Sequence, residues 1–209
     1  MELKDYWSTI RRRWRLVVLA VVVSTGLAGL LTLQATPLYA SSARLFVATP
    51  SSDTGEAATG NTFAASRVLS YVDQVKDRSL AVTVADNLGG EIDPDVLKDQ
   101  VSASAVPQTV NMLITAQDSD PETARNIAQA YAEAIKSQVA VIEAPGDGGA
   151  APVRVTIIND ATISRSPVSP NATRNLALGL VLGLLLGVGI AVLRELLDTT
   201  ISSSEDVGD

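Results

Sequence analysis

Two uncharged apolar runs stand near opposite ends of the chain, Leu16 to Leu33 and Asn175 to Leu193, and shorter patterned stretches lie between them. At about 1.5 Å of rise per residue the second run reaches roughly 28 Å, close to the ~30 Å hydrocarbon core of a bilayer. A helix satisfies its own backbone there, so the pattern predicts a membrane-spanning helix rather than the core helix of a soluble domain, which would carry a polar face. The first run predicts a second span. A signal peptide is the alternative, since its start is also basic. Against that, the apolar region is long, no good small-x-small cleavage site follows Leu33, and Leu38-Tyr39-Ala40 is a poor one.

Between the runs, Leu38 to Val47 alternates, with Tyr39, Ala43, Leu45 and Val47 on one face, and predicts a strand. Ser51 to Asn61 has no apolar residue larger than Ala and reads as a loop. Phe63 to Lys76 reads as a helix with Val68, Tyr71, Val72 and Val75 on one face. Ser79 is placed to cap a second helix, stopped by Gly89-Gly90, and Asp93-Pro94 opens a short third one. Val101 to Val106 and Val110 to Ala116 form strands around Pro107-Gln108-Thr109. Ser119-Asp120-Pro121-Glu122 is a strong helix start, and Ile127, Tyr131, Ile135 and Val139 continue one apolar face. Val153 to Ile158 is a last strand. The expected fold is α+β: two transmembrane helices flanking a compact extracytoplasmic mixed sheet with helices on one face.

The boundaries this implies are a basic head over 1–15, spans over 16–37 and 175–193, an outer domain over 38–158, a proline-containing stalk over 159–174, and a tail over 194–209. Pro167 and Pro170 push the residues before them to extended geometry and resist helix propagation out of the membrane. Arg11, Arg12, Arg13 and Arg15 abut the first run, and Trp7 and Trp14 fall where aromatic side chains anchor at an interface. The arginines place the head in the cytoplasm, and two spans return the tail to the same side.

Composition narrows the chemistry. Without cysteine or histidine there is no disulfide framework, no thiolate metal site and no Ser-His or Cys-His arrangement. No lysine follows a glycine, so no phosphate loop is present. A net charge of −7 argues against a nucleic-acid partner. The pairs Asp93/Asp95 and Asp118/Asp120 read as helix caps rather than cation sites. Asn171-Ala172-Thr173 matches a glycosylation acceptor but lies too near a span to weigh. No catalytic residue, cofactor or metal is expected.

The spans carry a packing signal. Gly179, Gly183 and Gly187 recur every four residues on the second, and Ala20, Ser24 and Ala28 on the first. Small residues at this spacing let helix backbones approach closely, within one chain or between chains.

The order of these features resembles the Wzz-type chain-length determinants, or polysaccharide co-polymerases, and the membrane modules of bacterial tyrosine autokinases. The head, first span and LYASSARLFV are similar to the family's N-terminal span and first strand. Asp118 to Ala134 resembles its Asp-x-Asp-Pro-x-x-Ala helix start, and Ala161 to Arg174 its proline-rich motif, although Ser164 stands where a first proline is common. Arg194 to Val207 resembles the linker into a fused kinase, which implies a kinase-contact role for Arg194, Glu195 and Asp198.

The resemblance implies a non-enzymatic protein of the bacterial plasma (inner) membrane with both termini cytoplasmic. It would act as a homo-oligomeric scaffold for capsular or extracellular polysaccharide biosynthesis and export. Its partners would be the lipid bilayer, a polysaccharide polymerase and a cytoplasmic tyrosine kinase. The alternative is the membrane module of an autokinase. A two-span sensor would need a larger output domain, and a secreted binding protein would need cleavage near Ala40.

Overall fold

The computed structural model describes residues 11–49, 57–90, 92–145 and 152–197. The chain divides into two units, at 36/37 and at 169/170, so that the two ends of the sequence form one unit and Pro37–Ser169 the other.

The first unit is a pair of long helices, α1 (Trp14–Gln34) and α6 (Ala172–Leu197). Both are long and apolar enough to cross a membrane. Leu19, Leu30, Leu33, Leu182 and Leu185 stay exposed, an arrangement suited to lipid rather than water. Helix α6 starts three residues before the predicted span. Asn171, read from sequence as a glycosylation acceptor, accepts the Arg174 backbone N–H at 3.1 Å and caps it.

The second unit is a four-stranded sheet with helices. Strand β1 (Tyr39–Ala48) leads to α2 (Ala57–Gln74), α3 (Arg78–Asn87) and α4 (Pro94–Gln100). Strands β2 (Val101–Ala105) and β3 (Asn111–Asp118) follow, then α5 (Pro121–Ile142) and β4 (Arg154–Asn159). The strand order is β2-β3-β1-β4. The mixed sheet expected from sequence is not formed, because every pairing is antiparallel. The short turn after β2 reverses the chain, and α5 carries it from β3 past β1 to β4. Strands that run the same way are therefore never neighbours.

Alternation decides the core. Along β1, Ser41, Ala43, Leu45 and Val47 are buried while Arg44 and Phe46 are exposed. Met112, Ile114 and Ala116 of β3 join them. Helix α2 contributes Val68, Tyr71 and Val75, and α5 contributes Ile127, Tyr131, Ile135 and Val139. Burying one such side chain stabilises by about 1.5–3 kcal/mol. Helix α5 starts as predicted, with Asp120 accepting the Thr123 backbone N–H at 2.7 Å and the Thr123 hydroxyl at 2.8 Å.

Two local expectations are corrected. Helix α2 begins at Ala57, so the predicted loop is helical over its last residues, and 50–56 lie outside the described residues. The cap residue of α3 is Asp77 rather than Ser79. The start of the proline-containing segment after β4 packs on the domain. Ala161 is buried and donates its N–H to Gln129 Oε1 at 3.0 Å, and the Ser41 hydroxyl donates to the Thr162 carbonyl at 2.8 Å. Each of those bonds satisfies a group that an isolated extended segment would leave to water.

Candidate functional site

With no catalytic cluster expected, the candidate site is the seam between α1 and α6. Its geometry follows from side-chain size. A Cβ added at Gly179 would stand 2.8 Å from the Ala28 Cβ and 3.2 Å from the Ser24 carbonyl oxygen. At Gly183 it would stand 2.7 Å from the Val21 Cα and 3.0 Å from the Ser24 Cβ, and at Gly187 2.8 Å from the Val17 Cα and 3.2 Å from the Ala20 Cβ. The six small residues singled out in the sequence thus lie along one antiparallel contact. A Cβ at Gly26 or Gly189 would meet nothing within 4 Å, and one at Gly29 only the Leu176 side chain at 3.7 Å, so the closest approach runs along one stripe. Dispersion between closely approached backbones holds such helices where no hydrophobic force separates them from lipid.

Val17 and Val21 also touch the glycines, and sequence reasoning missed them. They precede Ala20 and Ser24 by three residues, which is the helical spacing that would have found them.

Polar side chains close both ends of the seam. At one end the Asn175 side-chain amide donates to the Thr32 hydroxyl at 3.1 Å, and that hydroxyl donates to the Ala28 carbonyl at 2.7 Å. At the other, Arg13 Nε lies 2.7 Å from Glu195 Oε2, and Arg12 lies 3.7 Å from Glu195 Oε1. Sequence analysis gave Arg13 an orienting role and Glu195 a kinase-contact role; the structure joins the two. Arg11, Arg15 and Arg194 are exposed, and Asp198 and Trp7 lie outside the described residues.

In the second unit the proline segment closes the domain. Leu38 donates its N–H to the Ser169 carbonyl at 2.9 Å, and Val168 donates to the Leu38 carbonyl at 2.8 Å. Pro167 and Pro170 flank this pair, so the two residues that lack a donor sit just outside the positions that carry the bridge. Nearby, Gln129 also donates to Asp160 at 3.2 Å.

A second polar cluster lies where α5 ends. The carboxylate of Glu143 is buried, accepts the Tyr71 hydroxyl at 2.9 Å and sits 3.7 Å from Arg67 Nε. Burial first, then the hydrogen bond to Glu143, raises the Tyr71 pKa above the ordinary tyrosine value. Burial alone pushes Tyr131 up to about 12.

Residues 1–93 match a family model described as Wzz, chain length determinant protein. A probable capsular polysaccharide biosynthesis protein of Bacillus subtilis (strain 168) is 26% identical over 99% of this chain and 82% of its own length. The chain is similar to the Wzz-type chain-length determinants. The capsular polysaccharide biosynthesis proteins CpsC of Streptococcus pneumoniae and Streptococcus agalactiae are 23% and 20% identical, over 95% and 97% of this chain and 84% and 87% of their own lengths. A full-length bacterial polysaccharide co-polymerase shares the fold, with a TM-score of 0.52 and 14% identity over 96% of this chain and all of that one. The Wzz match covers α1, β1, α2 and α3. The matches to the capsular proteins extend the likeness through the clasp at Ser169 and into α6.

Proposed function

We propose that this chain is a polysaccharide co-polymerase, a chain-length determinant that serves as an oligomeric membrane scaffold in capsular or extracellular polysaccharide biosynthesis and export. The observation that carries this reading is the match of nearly the whole chain to capsular polysaccharide biosynthesis proteins, joined to a family model for chain length determination. The close seam between α1 and α6 supports a scaffolding role, because it gives the two candidate spans a fixed packing with no chemistry of its own. A chain without histidine or cysteine suits a non-catalytic task.

In this reading the protein sits in the bacterial inner membrane. Arg11, Arg12, Arg13 and Arg15 favour a cytoplasmic head, and an even number of crossings then returns the tail to the same side and leaves Pro37–Ser169 outside. Subunits associate laterally beside a polymerase, and Arg194 and Glu195 lie where a cytoplasmic kinase would make contact. An autokinase membrane module is not favoured. The matched regions already take up 82–87% of the capsular relatives, which leaves those proteins too little further chain for a fused kinase.

Deletion of the gene followed by sizing of the surface polymer tests the role. A shifted length distribution or reduced yield is expected, and an unchanged distribution and yield would reject it. Mass measurement in detergent tests the scaffold, since a monomer contradicts lateral assembly.

A further inference from the structure

One face of the sheet is packed by helices, and on the other the outward side chains of the described strands are exposed or half-buried. That second face carries Arg44 and Phe46 of β1, Thr115 of β3 and Arg154 of β4. Although the chain as a whole is acidic, no aspartate or glutamate stands at an outward position of the four strands. Arg44, Phe46 and Arg154 are exposed. Neither arginine has an ion pair or hydrogen bond among the described residues, whereas Arg67, Arg78 and Lys98 each have a carboxylate partner. Two positive groups on an otherwise neutral face are thus left without compensation.

The rest of the face carries Leu113 beside Arg44, Asn111 beside Phe46, and a set of hydroxyl side chains. Ser42 and Thr115 share a hydrogen bond of 2.8 Å across β1 and β3, and Ser102 donates to the Thr115 carbonyl at 3.4 Å. Ser104 and Thr156 lie further out on the same surface, both exposed. Arg154 pairs with Ala48, four residues along β1 from Arg44, so the two backbones stand about 14 Å apart with Phe46 between them. A row of charge, flat apolar ring and charge along an extended sheet suits an extended polymer rather than a compact solute.

We infer that this face binds an acidic polysaccharide strand, with Arg44 and Arg154 holding its acidic groups, Phe46 packing beneath a sugar ring, and the serine and threonine hydroxyls meeting its hydroxyls. The inference rests on the co-polymerase reading and adds to it the chemical class and the place of the polymer contact. A lipid headgroup would meet the same charges and hydroxyls, so the test includes one.

The test is calorimetry of the full chain in detergent micelles with polygalacturonate oligosaccharides, and with dextran as a neutral control. Binding of polygalacturonate that weakens with salt is expected, with no binding of dextran. Arg44→Gln combined with Arg154→Gln should weaken it at least about tenfold, and paired Lys replacements should retain part of it. No binding by the unaltered chain, salt-insensitive binding, equal binding of dextran, or unchanged affinity in the folded double variant would each overturn the proposal. Tighter binding of glycerophosphoglycerol, a free lipid headgroup, would reassign the face to a membrane surface and overturn it too. The salt dependence needs no variant, so the proposal stays open to refutation even if the double variant misfolds. If gene deletion leaves the polymer unchanged, the co-polymerase reading fails without touching this binding. If deletion alters the polymer but the protein binds no polygalacturonate, this inference fails alone.

Discussion

Gly183 lies so close to Val21 that a Cβ on the glycine would stand 2.7 Å from the valine Cα. The neighbouring atoms are backbone and cannot swing aside, so a larger residue must push α1 and α6 apart. Gly183→Leu should lower stability in detergent by about 1–3 kcal/mol, read as a fall in the unfolding midpoint. Gly189→Leu, whose Cβ meets nothing within 4 Å, should leave the midpoint unchanged. Equal effects from the two variants would contradict the seam.

Thr32 and Asn175 hydrogen-bond at one end of that seam. Polar contacts between membrane helices average about 0.6 kcal/mol of coupling. A double-mutant cycle with Thr32→Ala and Asn175→Ala should return a coupling of that order, and purely additive effects would show that the contact contributes nothing.

Asp120 caps α5 through the Thr123 backbone N–H and hydroxyl, and these bonds hold its carboxyl below the ordinary aspartate pKa. A depressed folded pKa contributes stability that is present above the unfolded value and is lost as pH falls through the folded one. Asn also caps helices but does not titrate. The gap in melting temperature between the wild type and Asp120→Asn should therefore exist at neutral pH and shrink below about pH 4.

Tyr71 is the hydroxyl donor within hydrogen-bonding distance of the buried Glu143 carboxylate. Tyr71→Phe leaves that carboxylate with only the longer Arg67 contact and should cost about 1–3 kcal/mol in denaturant unfolding. Tyr71 and Tyr131 both have raised pKa values. Their contribution is present below the unfolded tyrosine value of about 10 and is lost as pH rises above it. A spectrophotometric titration should show two tyrosines still un-ionised well above pH 10 until the domain unfolds.

The strongest local signals in the sequence were the ones that act without help from distant residues. Asp120-Pro121 starts a helix by itself, the alternation from Leu38 to Val47 selects a strand, and the four-residue glycine spacing marks a face. What escaped notice depended on partners far along the chain. Nothing in the local sequence marks Glu143 for burial, because Tyr71 is brought to it from 72 positions away. Ser41 is buried because Thr162 offers a carbonyl, and the start of α2 at Ala57 lies in a run of small polar residues with no periodicity to reveal it. The sheet was expected to be mixed because pattern alone cannot say which strands become neighbours.

The bridge between Leu38 and Ser169 ties together the entry and exit of everything that lies between them. A folded insert whose two ends meet can be lengthened, shortened or replaced with its point of attachment unchanged. Variation inside Pro37–Ser169 is therefore free to accumulate so long as the two ends of that segment still meet.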